Sequence, residues 1–255
     1  MNRPHGTRSH RKGIIGFTLT ELLVAIALVV VLVGLLMGGL QKTRQAANRI
    51  ACLSNLRQVG VVIGLYIADN RVYPGPSNGG QNDVVGSGQL SYLLRNYYAP
   101  SIKIGDRTPS IFVCPEWLAW SNHGAGEPPY GYPCYTANHR IILKNGTGVI
   151  TYDPFASIGD GTQPMRPTQL LGLEGTPDCS YTASREPHGT FSLSRTWAIA
   201  DIDAAFLSLT ANGANAWSPY VPPKTAIHGG TRNILFFDMH AEPVPANRLE
   251  DGQLH

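Results

Sequence analysis

The chain has little charge, and that charge is unevenly placed. Asp, Glu, Lys and Arg make up only 15% of the 255 residues. Four basic residues, Arg3, Arg8, Arg11 and Lys12, precede Gly16 with no acid among them, and without them the formal net charge falls from +3 to −1. A nucleic-acid-binding domain needs a basic surface, because phosphate contacts dominate its affinity. The body of the chain lacks this excess, which argues against a nucleic-acid partner.

Sequence motifs of the common enzyme classes are also missing. The chain has no G-x-S-x-G nucleophile elbow, no phosphate-binding loop and no G-x-G-x-x-G dinucleotide fingerprint. Six histidines follow the apolar N-terminal run, and none of them has H-E-x-x-H or H-x3–5-H spacing. The carboxylates at Asp160 and at Asp201 with Asp203 do not form an EF-hand loop. We therefore predict that the protein is not an enzyme and holds no metal or cofactor.

Cysteine is scarce, with four residues at positions 52, 114, 134 and 179. Four cysteines allow three fully paired connectivities. Cys114 and Cys134 flank a loop rich in Pro and Gly, which makes them a natural disulfide pair in an oxidising compartment. Reduced and buried thiols are the alternative. The same two cysteines with His139 lack the C-x2-C pairing that is typical of zinc knuckles.

One long apolar run dominates the N-terminal part of the chain. Residues 17–40 contain a single charge, Glu21. As an α-helix this run would span ~36 Å, enough to cross a hydrocarbon core of about 30 Å. The basic residues that precede it favour a cytoplasmic N-terminus and therefore an extracytoplasmic C-terminus. The sequence predicts one membrane-spanning helix.

Residues 41–70 continue this run without a proline and have apolar side chains at spacings of three or four. This spacing predicts an amphipathic helix with one apolar stripe. The stripe consists of Ile50, Leu53, Leu56, Val59, Ile63 and Tyr66. Both segments are expected to form one helix from about Phe17 to Ala68, with its second half lying on a globular domain.

The junction between the basic leader and the apolar run reads Gly-Phe-Thr-Leu-Thr-Glu-Leu-Leu from Gly16 to Leu23. It resembles the processing motif of type IV prepilins and type II secretion pseudopilins. The resemblance implies that prepilin peptidase cleaves after Gly16 and that the new N-terminal Phe17 is N-methylated by the same peptidase/methyltransferase. It also implies that Glu21 acts in subunit assembly.

Two further segments are similar to a pseudopilin subgroup with an H-x9-DG C-terminal domain, typical of planctomycetes and their relatives. The first runs from Cys52 to Gly60, and the second runs from His228 to Asp238, with nine residues between His and Asp. Met239 stands where this subgroup has glycine. We expect His228 and Asp238 to stabilise the C-terminal hairpin; a metal or acid–base cluster of these two with His240 is the alternative.

The remaining residues, 71–255, are expected to form one extracytoplasmic domain that ends in the H-x9-D strand segment. Short apolar runs separated by Gly and Pro predict strands, and residues 90–98 predict a short helix. The predicted strands are Ile111–Cys114, Thr147–Tyr152, Gln169–Leu173, Thr196–Ala200 and Asn233–Asp238. A long helix packed on a small, mostly antiparallel sheet gives an α+β fold.

Together, these features predict a structural subunit with four parts: a cleaved leader (1–16), a transmembrane half-helix (17–40), an amphipathic half-helix (41–70) and the domain. By resemblance, its partners are other copies or other pilins, the lipid bilayer, and an inner-membrane assembly platform with a cytoplasmic ATPase. Two alternatives remain open. One is a membrane-anchored extracytoplasmic binding protein that does not polymerise, and the other is an anchored periplasmic enzyme.

Overall fold

A computed structural model describes residues 18–78, 80–82, 85–107, 110–116, 133–178, 189–201, 228 and 230–245. Of residues 36–38, 41, 80, 82, 110 and 133 only the backbone is described. The chain divides into two compact units, Met1–Arg44 and Gln45–His255. One helix, α1, runs from Leu19 to Asn70 through the boundary between them.

The described part of the first unit is the N-terminal half of α1. Thr18 and Glu21 start the helix with a reciprocal capping box. The backbone N–H of Thr18 donates to Glu21 Oε2 at 2.9 Å, and the backbone N–H of Glu21 donates to Thr18 Oγ1 at 3.3 Å. The Thr18 hydroxyl adds a bond of 2.7 Å to the same carboxylate oxygen. Every side chain described between Leu19 and Leu35 is exposed.

The second unit combines the C-terminal half of α1 with short helices and nine strands among the described residues. The helices after α1 are α2 (Leu90–Leu93), α3 (Arg95–Tyr98), a 3-10 helix (Ser110–Phe112) and α4 (Pro167–Leu171). The strands are β1 (Gly80–Asn82), β2 (Pro133–Ala137), β3 (Ile141–Asn145), β4 (Gly148–Tyr152), β5 (Pro177–Asp178), β6 (Gly189–Thr190), β7 (Trp197–Asp201), β8 (Thr231–Phe236) and β9 (Ala241–Pro245).

These strands form two antiparallel sheets. The larger sheet has the order β1-β2-β7-β8-β9, and the smaller has the order β4-β3-β5-β6. Strand β7 lies at the centre of the larger sheet, and all five of its residues are buried. Strands β8 and β9 form a hairpin in which Leu235 pairs with Ala241. The predicted α+β class, with a helix and a small antiparallel domain, is confirmed.

The helical part of this unit belongs to its hydrophobic core. Cys52, Leu56, Val59 and Ile63 recur at spacings of three or four and are at most 1% exposed. They share one core cluster with side chains of the larger sheet, such as Leu235. Three members of the predicted stripe, Leu56, Val59 and Ile63, are therefore buried as expected. Ile50, which the sequence placed in the same stripe, is exposed.

The described residues contain one helical stretch that is long and apolar enough to cross a membrane, Lys42–Asn70, with a mean hydropathy of 1.5. One third of its most apolar window (33%) is buried in the protein. Leu19–Leu35 is a shorter apolar stretch. The segment predicted to span the membrane, 17–40, includes Phe17 and the side chains of 36–38, which lie outside the described residues.

Two predicted strands are wrong. Ile111–Cys114 overlaps the 3-10 helix. Its residues from Phe112 onward are all buried, so buried and exposed side chains do not alternate as they do in a half-buried strand. Gln169–Leu173 overlaps α4, which begins with Pro167 at its first position. The Gln169 side chain accepts a 2.7 Å bond from the Arg166 N–H, a local helix-start signal that outweighs the apolar run. The strands predicted at 147–152, 196–200 and 233–238 correspond to β4, β7 and β8.

Candidate metal centre

Four side chains with metal-ligating atoms meet inside the second unit: Cys52, Cys114, Asp201 and His228. Their ligand atoms all lie within 4.8 Å of one another. Cys52 lies on α1, Cys114 follows the 3-10 helix, Asp201 ends β7, and His228 precedes β8. The fold thus brings four segments that are distant in sequence to one point, which we call the Cys2AspHis cluster.

The Asp201 carboxylate connects the members of the Cys2AspHis cluster. Its Oδ1 accepts a hydrogen bond from the Cys52 thiol at 2.9 Å, and its Oδ2 lies 3.1 Å from Nε2 of His228. The same Nε2 lies 3.5 Å from Sγ of Cys114. The imidazole therefore directs Nε2, and not Nδ1, at the thiol and the carboxylate.

Neighbouring residues fix the orientation of two cluster members. The backbone N–H of Asn233 donates to Asp201 Oδ2 at 2.9 Å, which orients the carboxylate from β8. The hydroxyl of Tyr135 on β2 lies 3.2 Å from Cys52 Sγ. Both neighbours are at most 1% exposed. The Cys2AspHis cluster is therefore surrounded by polar contacts of fixed geometry.

Burial of the Cys2AspHis cluster is nearly complete. Cys52 is 0% exposed, Cys114 and Asp201 are 1% exposed, and the His228 side chain is 1% exposed. Burying charged groups is costly unless each charge has a partner. The hydrogen bonds inside the cluster supply such partners, because the Asp201 carboxylate faces both the His228 imidazole and the Cys52 thiol.

The ionisation of the cluster members is mutually dependent. Burial alone would lower the pKa of His228, but its hydrogen bonds to Asp201 and Cys114, together with the negative charge of Asp201, raise the pKa to about 10. Burial opposes ionisation of Cys114, yet hydrogen bonds from Cys52 and His228 outweigh it and lower the pKa of that thiol. Burial, the Cys114 bond and the Asp201 charge raise the pKa of Cys52.

The donor set is that of a thiophilic divalent ion. Two thiol sulfurs, one imidazole nitrogen and one carboxylate oxygen are the ligand types that zinc takes in proteins, most often four at a time. Sequence reasoning missed this site because none of the four residues is close in sequence to another. The Cys and His residues were visible, but Asp201 was noted only as a loop carboxylate, and no spacing linked it to Cys52.

A second polar group, Ser77, His139, Asp153 and Ser157, has the connectivity of a serine–histidine–aspartate triad. Ser77 Oγ lies 3.2 Å from His139 Nε2, and His139 Nδ1 lies 3.0 Å from Asp153 Oδ1. Ser157 Oγ donates to Asp153 Oδ2 at 2.6 Å. However, Ser77 is 1% exposed. A nucleophile must reach its substrate, which buried Ser77 does not, and the bond from Ser157 to Asp153 holds the loop after β4.

An open cleft of about 910 Å³ lies beside that loop. Its lining includes His139, Arg140, Tyr152 and Asp153, but neither Ser77 nor any member of the Cys2AspHis cluster. Asp160, which the sequence suggested as a loop carboxylate, lies on its wall and accepts bonds from the Thr162 hydroxyl at 2.6 Å and N–H at 2.8 Å.

The two residues expected to stabilise the C-terminal hairpin together have different partners. His228 contacts Asp201 and Cys114, whereas Asp238 Oδ1 lies 2.5 Å from Nδ1 of His240 at the hairpin turn. The alternative cluster of His228, Asp238 and His240 is thus not formed through His228. That both residues stabilise the domain stays a prediction.

The predicted disulfide is not formed in the described part of the chain. Cys114 and Cys134 are both buried thiols, and Cys114 lies in the cluster with Cys52 instead. Cys179 and Asp203 lie outside the described residues, as do the predicted processing residues Gly16 and Phe17. Glu21 is described and bonds to Thr18 of its own chain.

Comparisons with protein-family models, with curated proteins and with solved structures find no match to this chain.

Proposed function

We propose that this chain is a prepilin-like structural subunit that prepilin peptidase processes after Gly16. The mature subunit assembles through its N-terminal helix into a pilus, or into a pseudopilus for type II-like secretion. The observation that carries the proposal is the exposure of the apolar side chains between Leu19 and Leu35. Twelve large apolar side chains in this stretch are at least 45% exposed, far more than an isolated water-soluble domain leaves uncovered.

Lipid, and later other subunits, are the partners that this surface fits. Lys42–Asn70 is the described stretch that is long and apolar enough to cross a membrane, and Leu19–Leu35 is shorter, but the apolar face of Lys42–Asn70 is already covered in the core of the domain. A helix segment cannot give one face to both a protein core and a bilayer. The segment 17–40 is therefore the better candidate for the membrane, with the basic leader on the cytoplasmic side of the inner membrane and the domain in the periplasm.

Glu21 supports assembly over simple anchoring. A charged side chain at the centre of a membrane helix costs about 2.5–3.5 kcal/mol. Glu21 lies only four residues into the apolar run, where the cost is smaller but still unfavourable. Within its own chain, Glu21 uses Oε2 for both contacts with Thr18. In the filament, the carboxylate would also pair with the Phe17 amine of a neighbouring subunit, as the resemblance to pilins implies. Such a pair fixes the axial register between apolar helices.

A test combines the mature N-terminus with the assembled form. The full-length chain is produced in cells that contain prepilin peptidase, the assembly platform and its ATPase. Mass spectrometry should find an N-methylated Phe17, and mechanical shearing should release the protein in filaments. Gly16→Leu should leave the leader attached, whereas Gly6→Leu, a leader glycine away from the cleavage site, should be processed normally. An intact leader on the unsubstituted protein would refute the proposal.

A membrane-anchored binding protein that does not polymerise is the second candidate, and the open cleft beside His139 favours it. It predicts a processed protein that never enters the sheared fraction. The third candidate is an anchored periplasmic enzyme; Ser77, the serine that contacts Nε2 of His139, is 1% exposed, whereas Ser157 of the same group lines the open cleft.

A further inference from the structure

We propose that Cys52, Cys114, Asp201 and His228 form a closed structural site for one zinc ion. The site does not depend on the filament proposal, since all four residues belong to the globular unit. It would join helix α1 to the central strands of the larger sheet. Its function is to stabilise the domain, because four protein ligands fill a tetrahedral zinc shell and leave no position for a substrate or a reactive water.

The separations within the Cys2AspHis cluster are close to those of a tetrahedral ion. With Zn–S of about 2.3 Å and Zn–N or Zn–O of about 2.0–2.2 Å, neighbouring ligand atoms lie about 3.3–3.8 Å apart. The observed separations are 2.9 Å for Cys52 Sγ to Asp201 Oδ1, 3.1 Å for Asp201 Oδ2 to His228 Nε2 and 3.5 Å for His228 Nε2 to Cys114 Sγ. All ligand atoms lie within 4.8 Å of one another. The two separations to Asp201 are shorter than the tetrahedral range and involve different oxygens, so the carboxylate must turn to present one oxygen to the ion.

The ligand chemistry favours zinc over other common ions. Calcium and magnesium take oxygen ligands almost exclusively, so two sulfurs exclude them. Soft thiolates favour zinc, copper(I) or iron–sulfur clusters, and one imidazole with one carboxylate is compatible with zinc. Two thiolates, one carboxylate and one neutral imidazole carry three negative charges, which a divalent ion reduces to one. Charge balance in a fully buried site thus favours a divalent ion.

Two ligands, Asp201 and Cys52, have the hydrogen-bonded neighbours of an outer shell, whereas Nδ1 of His228 has no such partner among the described residues. The Asn233 N–H donates to the carboxylate at 2.9 Å, and the Tyr135 hydroxyl lies 3.2 Å from the Cys52 sulfur. Hydrogen bonds of this kind orient ligands and reduce the charge on thiolate sulfur. Both come from strands of the larger sheet, so the geometry is set by the sheet and not by a loop.

Two other states of the same residues compete with zinc binding. One is a disulfide between Cys52 and Cys114, which an oxidising periplasm favours. The other is the metal-free cluster held by its internal hydrogen bonds. Each state gives a different result in the experiment below.

The experiment uses the full-length chain purified in detergent without chelators. Metal analysis of the unsubstituted protein, after dialysis against zinc and then against zinc-free buffer, should find one zinc per chain. Replacement by Co2+ should produce a thiolate-to-cobalt charge-transfer band together with the visible bands of tetrahedral cobalt. Addition of a strong chelator should lower the melting temperature of the unsubstituted protein, and excess zinc should restore it. This readout requires no variant to fold.

Matched variants assign the ligands. Cys52→Ser, Cys114→Ser and His228→Ala should each abolish stoichiometric zinc and the charge-transfer band. Cys134→Ser, which changes a buried cysteine outside the cluster, should retain both, as should His139→Ala. If the protein contained no zinc and both Cys52 and Cys114 could be alkylated, only the metal-free, hydrogen-bonded cluster would exist. This result would overturn the proposal. So would a Cys52–Cys114 disulfide found by peptide mapping without reductant.

Discussion

Gly60 of helix α1 lies directly against the hairpin turn at Met239. A Cβ atom at Gly60 would be 3.1 Å from the carbonyl oxygen of Met239 and 2.8 Å from Leu235 Cδ1. Met239 itself has a φ of 70°, in the left-handed region. The hairpin turn thus has the backbone conformation that glycine favours at this position, although the side chain is methionine. The close approach of helix and turn depends on the absence of a side chain at Gly60.

Gly60→Ala should therefore destabilise the domain by about 1–3 kcal/mol, because the added methyl group must displace the turn or Leu235. Gly64, one turn further along the same helix, is the matched control, since a Cβ there would meet nothing within 4 Å. Gly64→Ala should stabilise by about 0.5–1 kcal/mol through its higher helix propensity. Chemical unfolding of the detergent-solubilised chain measures both, and equal effects at the two positions would contradict this packing.

The parts of the fold with a regular sequence pattern were predicted from the sequence. The helix, β4, β7 and β8 have long or alternating apolar runs, so their type followed from periodicity alone. The buried face of α1 was found at Leu56, Val59 and Ile63, but Ile50 was misplaced. Two nearby residues, Arg49 and Cys52, contact the domain, so the buried face of the helix runs through them and leaves Ile50 on the opposite side. The very short strands, such as β5 and β6, are defined by their partners and not by their own residues.

The Cys2AspHis cluster could not be predicted from spacing. It depends on the pairing of β2, β7 and β8, which places the end of β7 beside α1. The H-x9-D pattern singled out His228 and Asp238, but it does not name the residue that contacts His228. Asp238 is the aspartate that the pattern names, whereas Asp201 is the one that the sheet brings to the imidazole.

The bond from Asn233 to helix α1 leads to a second stability prediction. Asn233 is 0% exposed, and its Nδ2 donates to the carbonyl oxygen of Arg49 at 3.1 Å. Asn233→Ala should lower the free energy of unfolding by about 1–3 kcal/mol, because it leaves a buried carbonyl oxygen without this donor. Asn70→Ala removes two exposed bonds, to the Tyr66 carbonyl oxygen and to the Tyr97 hydroxyl, and should change stability by no more than about 0.5 kcal/mol. Similar losses in both variants would show that the Arg49 contact contributes nothing specific.

The third prediction tests whether Ser77 is a nucleophile. Because Ser77 is buried and the cleft does not include it, a fluorophosphonate probe should not label the folded protein at this residue. Ser77→Ala should still cost about 1 kcal/mol of stability through the lost 3.2 Å contact with His139. Ser194→Ala, at an exposed serine, is the control for stability. Labelling of Ser77 by the probe would support the enzyme hypothesis.

The last prediction concerns the role of Glu21, for which the capping box offers a local explanation besides assembly. The carboxylate accepts bonds from the Thr18 N–H and hydroxyl at 2.9 and 2.7 Å, so it would stabilise the helix start even in a monomer. Glutamine at this position also completes a capping box but carries no charge. Thr18→Ala has the opposite effect, since it removes the hydroxyl contacts and keeps the charge. The two substitutions therefore separate the cap from the ion pair.

If Glu21 pairs with the Phe17 amine of a neighbouring subunit, Glu21→Gln and Glu21→Val should both abolish or misregister filaments, because breaking a buried ion pair costs about 3–5 kcal/mol. Thr18→Ala should then still assemble, since losing an N-cap costs only about 0.5–2 kcal/mol. All three variants should remain in the membrane fraction and be processed after Gly16, which controls for insertion. Immunoblots of the sheared fraction measure assembly. If Glu21→Gln formed normal filaments while Thr18→Ala and Glu21→Val did not, Glu21 would act only as a helix cap. That outcome would favour the membrane-anchored protein that does not polymerise over the filament subunit.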